Sequence, residues 1–306
     1  MTSPAATRLT YWANLAQPWS SVLEGVRHAE ATGWDGLVVA DHFMGDDGGF
    51  GRSDAPMLES TAALSALAGC TERLRLGSLV FSATYRHPAV LANWAATTDH
   101  ASGGRLRLGL GAGWQLNEHE QYGIELGTPG ERIRRLEEHC TAIRSLLTEP
   151  RTSFDGEFVQ LSEALCEPKP LQDRLPFLIG GKGDRMLRLV ARHADAWNMW
   201  SLPDVLAERS AALDAACEAI GRDPGKIERT TQALVFVTDD ATRARELVAS
   251  VSPRAAVAGP ASEFAATVAA WAEIGVTEVI VPDFTLGTGA RRADAMDALR
   301  AAVRAL

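Results

Sequence analysis

The stretch from Gly33 to His42 reads Gly-Trp-Asp-Gly-Leu-Val-Val-Ala-Asp-His, and it decides the fold class. Residues 36–40 form a continuous apolar run, which is typical of a strand that is covered on both faces in a parallel sheet. The preceding segment, Trp19 to Thr32, carries apolar side chains at helical spacing. Gly33 follows as a residue that takes a positive φ without steric cost at a helix end. The stretch therefore predicts a helix, a tight turn and a buried parallel strand.

The same alternation extends outward along the chain and predicts eight strands, each followed by a helix. The predicted strands are Leu9–Trp12, Gly36–Ala40, Leu74–Ser82, Leu106–Gly111, Pro176–Gly180, Ala196–Met199, Thr231–Thr238 and Glu278–Pro282. No linker or shift of composition divides the chain, so residues 1–306 are predicted to form one α/β domain, a (β/α)8 TIM barrel. Residues 152–161 alternate around Asp155 and Gly156, which favours a hairpin. We expect this hairpin to be an insertion between the helix after strand four and strand five.

Composition and charge argue against several classes of protein. Of the 306 residues, 46% are hydrophobic and 23% are charged, which is ordinary for a globular protein. No stretch approaches eighteen uninterrupted apolar residues, and Met1–Thr10 lacks the apolar segment of a secretory signal, so we expect a cytoplasmic protein without a membrane span. The net charge of −9 disfavours nucleic acid as a partner. Cys70, Cys140, Cys166 and Cys217 form no Cys-x-x-Cys pair, which predicts reduced thiols and no metal site.

Candidate functional residues follow from the barrel, because functional groups belong at the carboxyl ends of its strands. His42 comes directly after the second strand, where it either exchanges a proton or contacts a cofactor ring, or is a structural histidine held by Asp41. Arg86 lies beyond the third strand and either clamps an anion or forms a surface salt bridge.

Glycines mark the ends of the fourth and fifth strands. Gly109, Gly111 and Gly113 either let a ligand approach the backbone closely or form only a tight turn. The run Gly180–Gly183, with Lys182 inside it, opens a helix and favours a phosphate site over a plain turn, because amides at a helix start attract anions. Trp197 on the sixth strand either forms the floor under a flat ring or packs in the barrel wall.

Several other chemistries lack their residues in the sequence. The first strand ends in Tyr-Trp-Ala-Asn, without the His-x-His pair of a barrel metallohydrolase, and no GxSxG, P-loop or HExxH motif occurs. The strand ends do not supply the paired carboxylates of a glycoside hydrolase, with Asp41 and Glu118 as the nearest approach. We therefore expect the loops to hold a flat organic cofactor that bears a phosphate.

An ordered set of motifs resembles the bacterial luciferase-like monooxygenase superfamily, in its branch of F420-dependent oxidoreductases. The set comprises Gly33–Gly36, Ala40–Phe43, Tyr85–Pro88, Asp99–Arg105, Gly109–Trp114, Asn117–His119, Cys166–Pro170, Ile179–Gly181 and Ala194–Asn198. The resemblance implies a luciferase-like (β/α)8 barrel, a homodimer, and a phosphate-bearing flavin or deazaflavin across the carboxyl-terminal mouth of the barrel.

The resemblance also implies roles for single residues. His42 matches the strand-two histidine beside the reactive ring and is the implied catalytic residue. The implied cofactor-binding residues are Asp41, Leu79, Val80, Ser82, Gly111, Gly113, Gly180, Gly181, Lys182, Gly183, Trp197 and Asn198. Leu79 and Val80 match a site that often has a non-proline cis peptide behind the ring. The backbone amides around Gly180 and Gly181 are expected to anchor the phosphate.

Two departures bear on the reaction. Asp46 and Trp114 stand where deazaflavin sugar-phosphate dehydrogenases carry a Trp and a Glu, which argues against that reaction. Lys182 interrupts the phosphate loop, which in relatives often consists of glycine alone. The implied function is hydride transfer between coenzyme F420 and a small organic substrate. The alternatives are an FMN-dependent monooxygenase with dioxygen and a separate flavin reductase, and a cofactor-free binding barrel. We expect the substrate pocket at Asp41–Ala55, Trp114–Tyr122 and the rim near Trp200.

Overall fold

The computed structural model describes residues 7–48 and 51–306, and a closed cylinder of eight parallel strands lies at its centre. The strands in chain order are β1 (Arg8–Ala13), β2 (Gly36–Val39), β3 (Arg75–Ser78), β4 (Phe81–Ser82), β5 (Leu106–Gly111), β6 (Thr152–Asp155), β7 (Gln160–Ala164), β8 (Phe177–Gly180), β9 (Ala196–Trp200), β10 (Glu228–Gln232), β11 (Leu234–Val237), β12 (Ala256–Gly259) and β13 (Val276–Pro282). The cylinder follows the order β3-β2-β1-β13-β10-β9-β8-β5, and pairing between β3 and β5 closes it. The predicted (β/α)8 barrel is confirmed.

Helices surround the cylinder. They are α1 (Trp19–Thr32), α2 (Ser60–Gly69), α3 (Pro88–Ser102), α4 (Leu116–Tyr122), α5 (Pro129–Thr148), α6 (Asp184–His193), α7 (Pro203–Glu218), α8 (Ala241–Ser250), α9 (Ala261–Glu273) and α10 (Gly289–Arg304). Helix α1 is capped by Gly33, whose φ of 78° turns the chain so that the amide of Trp34 donates to the carbonyl of Ala29 at 3.0 Å. Over residues 7–48 and 51–306, none of the helices combines the length and the apolar character that a membrane crossing requires.

The predicted hairpin insertion is confirmed. Strands β6 and β7 pair antiparallel, and they lie between α5 and β8 in the chain. The carboxylate of Glu138 on α5 accepts hydrogen bonds from the amides of Glu157, Phe158 and Val159, at 2.8–3.0 Å. These bonds fasten the tip of the hairpin to the outside of the barrel.

The predicted seventh strand, Thr231–Thr238, is wrong in its bounds. The barrel strand β10 begins three residues earlier and ends at Gln232, and the apolar residues Leu234–Val237 form β11. Strand β11 pairs with β12 in a separate two-stranded parallel sheet. No glycine, proline or other turn residue stands between the two strands, so the sequence merges them.

The barrel interior is filled below its mouth. Trp12, Val38, Leu178, Ala196 and Ile280 form an apolar layer inside the cylinder. Closer to the amino ends of the strands, Arg107 on β5 and Glu278 on β13 form a buried ion pair, with nitrogen–oxygen distances of 2.6 and 2.9 Å. The remaining space therefore lies at the carboxyl ends of the strands.

Candidate active site

A cavity of about 680 Å³ opens at the carboxyl-terminal mouth of the barrel. Eleven of the thirteen predicted site residues line it, namely Asp41, His42, Leu79, Val80, Ser82, Gly111, Gly113, Gly180, Gly181, Lys182 and Asn198. The other two, Gly183 and Trp197, are not among the lining residues. Of the predicted substrate segments, Asp46, Trp114 and Trp200 line the cavity, and Gly49 and Phe50 lie outside the described residues.

His42 is held by a buried carboxylate that comes from another part of the chain. Its Nδ1 lies 2.8 Å from Oε1 of Glu118, which is on α4 and is fully buried. The other oxygen of Glu118 accepts the amide of Phe43 at 2.8 Å, and the hydroxyl of Tyr85 donates to Oε1. These contacts tie the loop after β2 to the helix after β5.

The protonation state of this network follows from its hydrogen bonds. Burial raises the pKa of Glu118, but the hydrogen bonds from His42 and Tyr85 outweigh burial, and the pKa lies below its usual value. Burial and the hydrogen bond to Glu118 raise the pKa of Tyr85, so its phenol keeps its proton. Glu118 is therefore a carboxylate acceptor, and Nδ1 of His42 is the donor in their bond.

Asp41 does not hold His42, so that alternative from the sequence is wrong. Its carboxylate accepts the hydroxyl of Ser60 at 2.5 Å, the amide of Ser82 at 2.9 Å and the guanidinium of Arg86 at 2.7 Å. Arg86 also reaches Glu59 at 2.6 Å, so the salt-bridge alternative holds for Arg86. Asp41 thereby fixes the start of the His42 loop against β4.

One wall of the cavity is formed by Val80 and by two glycines that border it. The peptide between Leu79 and Val80 is cis, at the site where the resemblance implies one. A Cβ atom on Gly111 would lie 2.4 Å from Cγ2 of Val80, which is closer than two carbon atoms can pack. Gly180 borders the same valine, with 3.6 Å between the position of its Cβ and the Val80 methyl groups. Val80 therefore protrudes between two glycines, and a flat group can lie against this wall.

The loop between β8 and α6 differs from the prediction in one respect. The amide of Gly181 donates to the carbonyl of Asn198 at 3.1 Å, so the expectation that this amide anchors a phosphate is wrong. The reason is that the pairing of β8 with β9 continues one residue beyond the strand end. Trp197 is buried in the wall, where its indole Nε1 donates to the Gly181 carbonyl at 2.7 Å.

The start of α6 can still bind an anion. Gly183 is its N-cap and makes no side-chain capping bond. The first amides of any helix have no acceptor within that helix, and they attract anions. Lys182 lines the cavity beside them, and the one acidic side chain of the first turn, Asp184, is paired with Arg209 at 2.6 Å. The positive character of this helix end is therefore not cancelled.

Sequence comparison relates the whole chain to known enzymes. The profile of the family described as "Luciferase-like monooxygenase" matches residues 3–305. An uncharacterised protein of Mycobacterium tuberculosis is 34% identical over 167 residues, which are 54% of this chain and 58% of that protein. An F420-dependent glucose-6-phosphate dehydrogenase of Microbacterium testaceum is 31% identical over 75% of this chain and 68% of its own length. The pyrimidine monooxygenase RutA of Allorhizobium ampelinum is 33% identical over 55% of this chain and 47% of its own length.

Solved structures share the fold. An F420-dependent secondary alcohol dehydrogenase, in complex with an F420-acetone adduct, superposes with a TM-score of 0.86 at 19% identity, over 97% of this chain and 99% of that one. The long-chain alkane monooxygenase LadA superposes with a TM-score of 0.81 at 14% identity, over 98% and 92% of the two chains. At such low identity these likenesses support the barrel architecture alone. The match over residues 3–305 shows that the chain belongs to the luciferase-like monooxygenase family.

Proposed function

We propose that the protein is an F420-dependent oxidoreductase, which transfers a hydride between the deazaflavin and a small organic substrate. The observation that carries the proposal is the wall where Val80 lies between Gly111 and Gly180, in the same cavity as a histidine fixed by a buried carboxylate. The relative that is an F420-dependent dehydrogenase, at 31% identity, supports this choice of cofactor. The homodimeric state and the cytoplasmic location stay predictions of the sequence.

The residues of the cavity fit such a cofactor. At the wall by Gly111, the Val80 side chain and the two glycines beside it offer a flat ring an apolar surface. Lys182 and the first amides of α6 offer an anion a positive helix end. When bound, a deazaflavin supplies a ring carbon that donates or accepts a hydride. The apolar residues that surround the mouth, such as Trp12, Met199 and Trp200, exclude water from the substrate.

His42 is the residue that moves a proton in this proposal. Its Nδ1 donates to Glu118, so the proposal assigns the proton transfer to Nε2. When a carbonyl is reduced, the hydride forms the new carbon–hydrogen bond, and Nε2 gives its proton to the carbonyl oxygen. The carboxylate of Glu118 holds the orientation of the ring through Nδ1 during this step. In the oxidation of an alcohol, the neutral ring accepts that proton.

An FMN-dependent monooxygenase is the second candidate, and the relationship to a pyrimidine monooxygenase at 33% identity favours it. The wall at Gly111 accommodates an isoalloxazine as well as a deazaflavin, because both rings are flat. This alternative requires dioxygen and a separate flavin reductase. A cofactor-free binding barrel, in contrast, gives no reason for glycines on both sides of Val80.

Titration of the purified protein with coenzyme F420 and with FMN tests the proposal. We expect F420 to bind more tightly, as measured by its fluorescence, and reduced F420 to be oxidised by a carbonyl substrate without dioxygen. Tighter binding of FMN, with turnover that requires dioxygen and a reductase, would replace the proposal by the monooxygenase. Failure of both cofactors to bind would overturn both enzymatic functions.

A further inference from the structure

Gln232 is a buried polar residue of the cavity that the function described above does not use. It is the last residue of β10, its exposed fraction is 6%, and it lines the cavity at the barrel mouth. Within residues 7–48 and 51–306, its Oε1 is buried and has no hydrogen-bond partner. A buried carbonyl without a donor is unfavourable, and native proteins seldom keep one unless a ligand or water completes it.

The topology places Gln232 opposite the wall that would carry the cofactor ring. Around the closed cylinder, β10 is four strands from β3 in either direction. The Leu79–Val80 peptide directly follows β3, so it lies across the mouth from the end of β10. This step rests on the proposed function: a ring against Val80 leaves the substrate between that ring and Gln232.

The surroundings of Gln232 define the kind of substrate. Trp12 on β1 and Trp200 on β9 meet edge to face, with ring centroids 5.8 Å apart. Trp200 is fixed because its Nε1 donates to the carbonyl of Ala255 at 3.0 Å. Of the charged side chains that line the cavity, Asp41 is paired with Arg86, Asp46 and Lys182 lie in the loops after β2 and β8, and Arg254 is exposed. The two indoles therefore favour a flat, mainly apolar group in this part of the cavity.

We propose that Gln232 determines substrate specificity by accepting a hydrogen bond from the substrate. Its Oε1 receives the hydroxyl or N–H group of a flat, mainly apolar molecule, whose body packs against Trp12 and Trp200. The polar group is remote from the carbon that exchanges the hydride. An analogue without that donor leaves Oε1 unpaired, so it binds more weakly.

Two naphthalenes that differ in one donor test this inference. 2-Naphthol carries a hydroxyl donor, and 2-methoxynaphthalene has the same ring system without it. In calorimetric titrations of the wild-type protein, we expect 2-naphthol to bind about five to ten times more tightly. In Gln232→Leu, which keeps the side-chain volume, the two compounds should bind equally. Gln160→Leu makes the same substitution at an exposed site of the hairpin and should keep the wild-type ratio.

The outcomes separate this inference from the proposed function. Equal binding of the two naphthalenes to wild type, an unchanged ratio in Gln232→Leu, or no binding of 2-naphthol overturns the role of Gln232. Failure of F420 and FMN to bind wild type overturns the proposed function instead. The affinity of Gln232→Leu for the cofactor should equal that of wild type, and its thermal unfolding reports whether it folds. If Gln232→Leu does not fold, Gln232→Met supplies the same comparison.

Discussion

The carboxylate of Glu118 accepts a hydrogen bond from Nδ1 of His42 at 2.8 Å, although 76 positions separate the two residues in the chain. The contact joins the loop after β2 to α4, the helix that follows β5, two strands away around the barrel. It fixes which ring nitrogen carries the proton and how the ring is oriented, since a histidine that donates through one nitrogen presents the other to its ligand. Glu118 is thus a positioning residue for His42.

Replacement of Glu118 by glutamine tests this role. The variant keeps the size of the side chain but replaces the charged acceptor of the His42 hydrogen bond by a neutral amide, so the ring is held less firmly. We therefore expect kcat to fall about 10²-fold, within the usual contribution of acid–base catalysis. The dissociation constant of the cofactor and KM should change little. Tyr85→Phe, which removes a different bond to the same carboxylate, should lower kcat less. Equal kcat values for wild type and Glu118→Gln would contradict the role.

Removal of the His42 side chain should affect turnover more than binding. In His42→Ala the proton donor is lost, so we expect kcat to fall by about 10²–10⁴-fold. Cofactor affinity, measured by fluorescence titration, should stay close to the wild-type value, because the wall at Gly111 and the start of α6 are untouched. Steady-state kinetics with His42→Ala and Glu118→Gln together should show less than additive losses. An unchanged kcat would exclude His42 from the mechanism.

A side chain at Gly111 should close the flat wall. A Cβ atom there meets Val80 at 2.4 Å, so Gly111→Ala should displace Val80 and lower stability by about 1–3 kcal/mol, as overpacking usually does. We also expect the affinity for the cofactor to fall at least about tenfold, which corresponds to about 1.4 kcal/mol. Gly69→Ala is the matched control, because its Cβ meets no atom within 4 Å at the exposed end of α2. Equal cofactor affinity of the two variants would show that the ring does not lie at Gly111.

The buried pair of Arg107 and Glu278 should dominate the stability of the barrel interior. Glu278→Gln removes the carboxylate that binds Arg107 at 2.6 Å and leaves Glu228, at 3.8 Å, as a weaker counter-charge, so we expect a cost of up to about 3–5 kcal/mol. Burial raises the pKa of Glu278, but Arg107 outweighs burial and lowers the pKa to about 2. A depressed carboxyl pKa gives stability that is complete above the unfolded value near 4.3 and is lost as pH falls towards 2. In denaturant unfolding, the difference in the free energy of unfolding between wild type and variant should therefore be constant at pH 5–7 and shrink below about pH 4.

His193 should make stability depend on pH in a different window. Burial lowers the pKa of His193 to about 4, and Arg192 adds repulsion. An unfolded histidine titrates near 6.5, so between about pH 6.5 and 4 the unfolded chain binds a proton that the folded chain does not. The free energy of unfolding therefore decreases as the pH falls from about 6.5 to 4, and it has its full value above about pH 6.5.

His193→Gln removes this titration. We expect the melting temperature of the variant to change less than that of wild type between pH 7.5 and pH 4.5. At pH 7.5, where the histidine is neutral in both states, no part of the difference comes from this charge. If the melting temperatures of wild type and His193→Gln change by the same amount between pH 7.5 and pH 4.5, His193 is not buried in its uncharged form.

The sequence by itself determined the architecture and the location of the site. Apolar runs such as residues 36–40, alternating with amphipathic helices, are sufficient for a parallel barrel, because burial on two faces leaves a local signature in the chain. The same alternation predicts the ends of β2, β5 and β8 to within one residue, and therefore that His42, Gly111 and Gly180 meet at one mouth. Glycines that permit close contact, such as Gly111 beside Val80, were likewise visible as residue types.

Only the tertiary structure decided which polar groups are partners. Glu118 binds His42, Asp41 binds Arg86, and the amide of Gly181 is taken by Asn198 rather than left for a phosphate. The end of β10 at Gln232, which no turn residue marks in the sequence, was likewise decided by sheet pairing. The physical reason is that periodicity reports burial of single residues in their local segment. A hydrogen bond depends on distances of about 3 Å between groups that are remote in the chain, and those distances exist only once the barrel has closed.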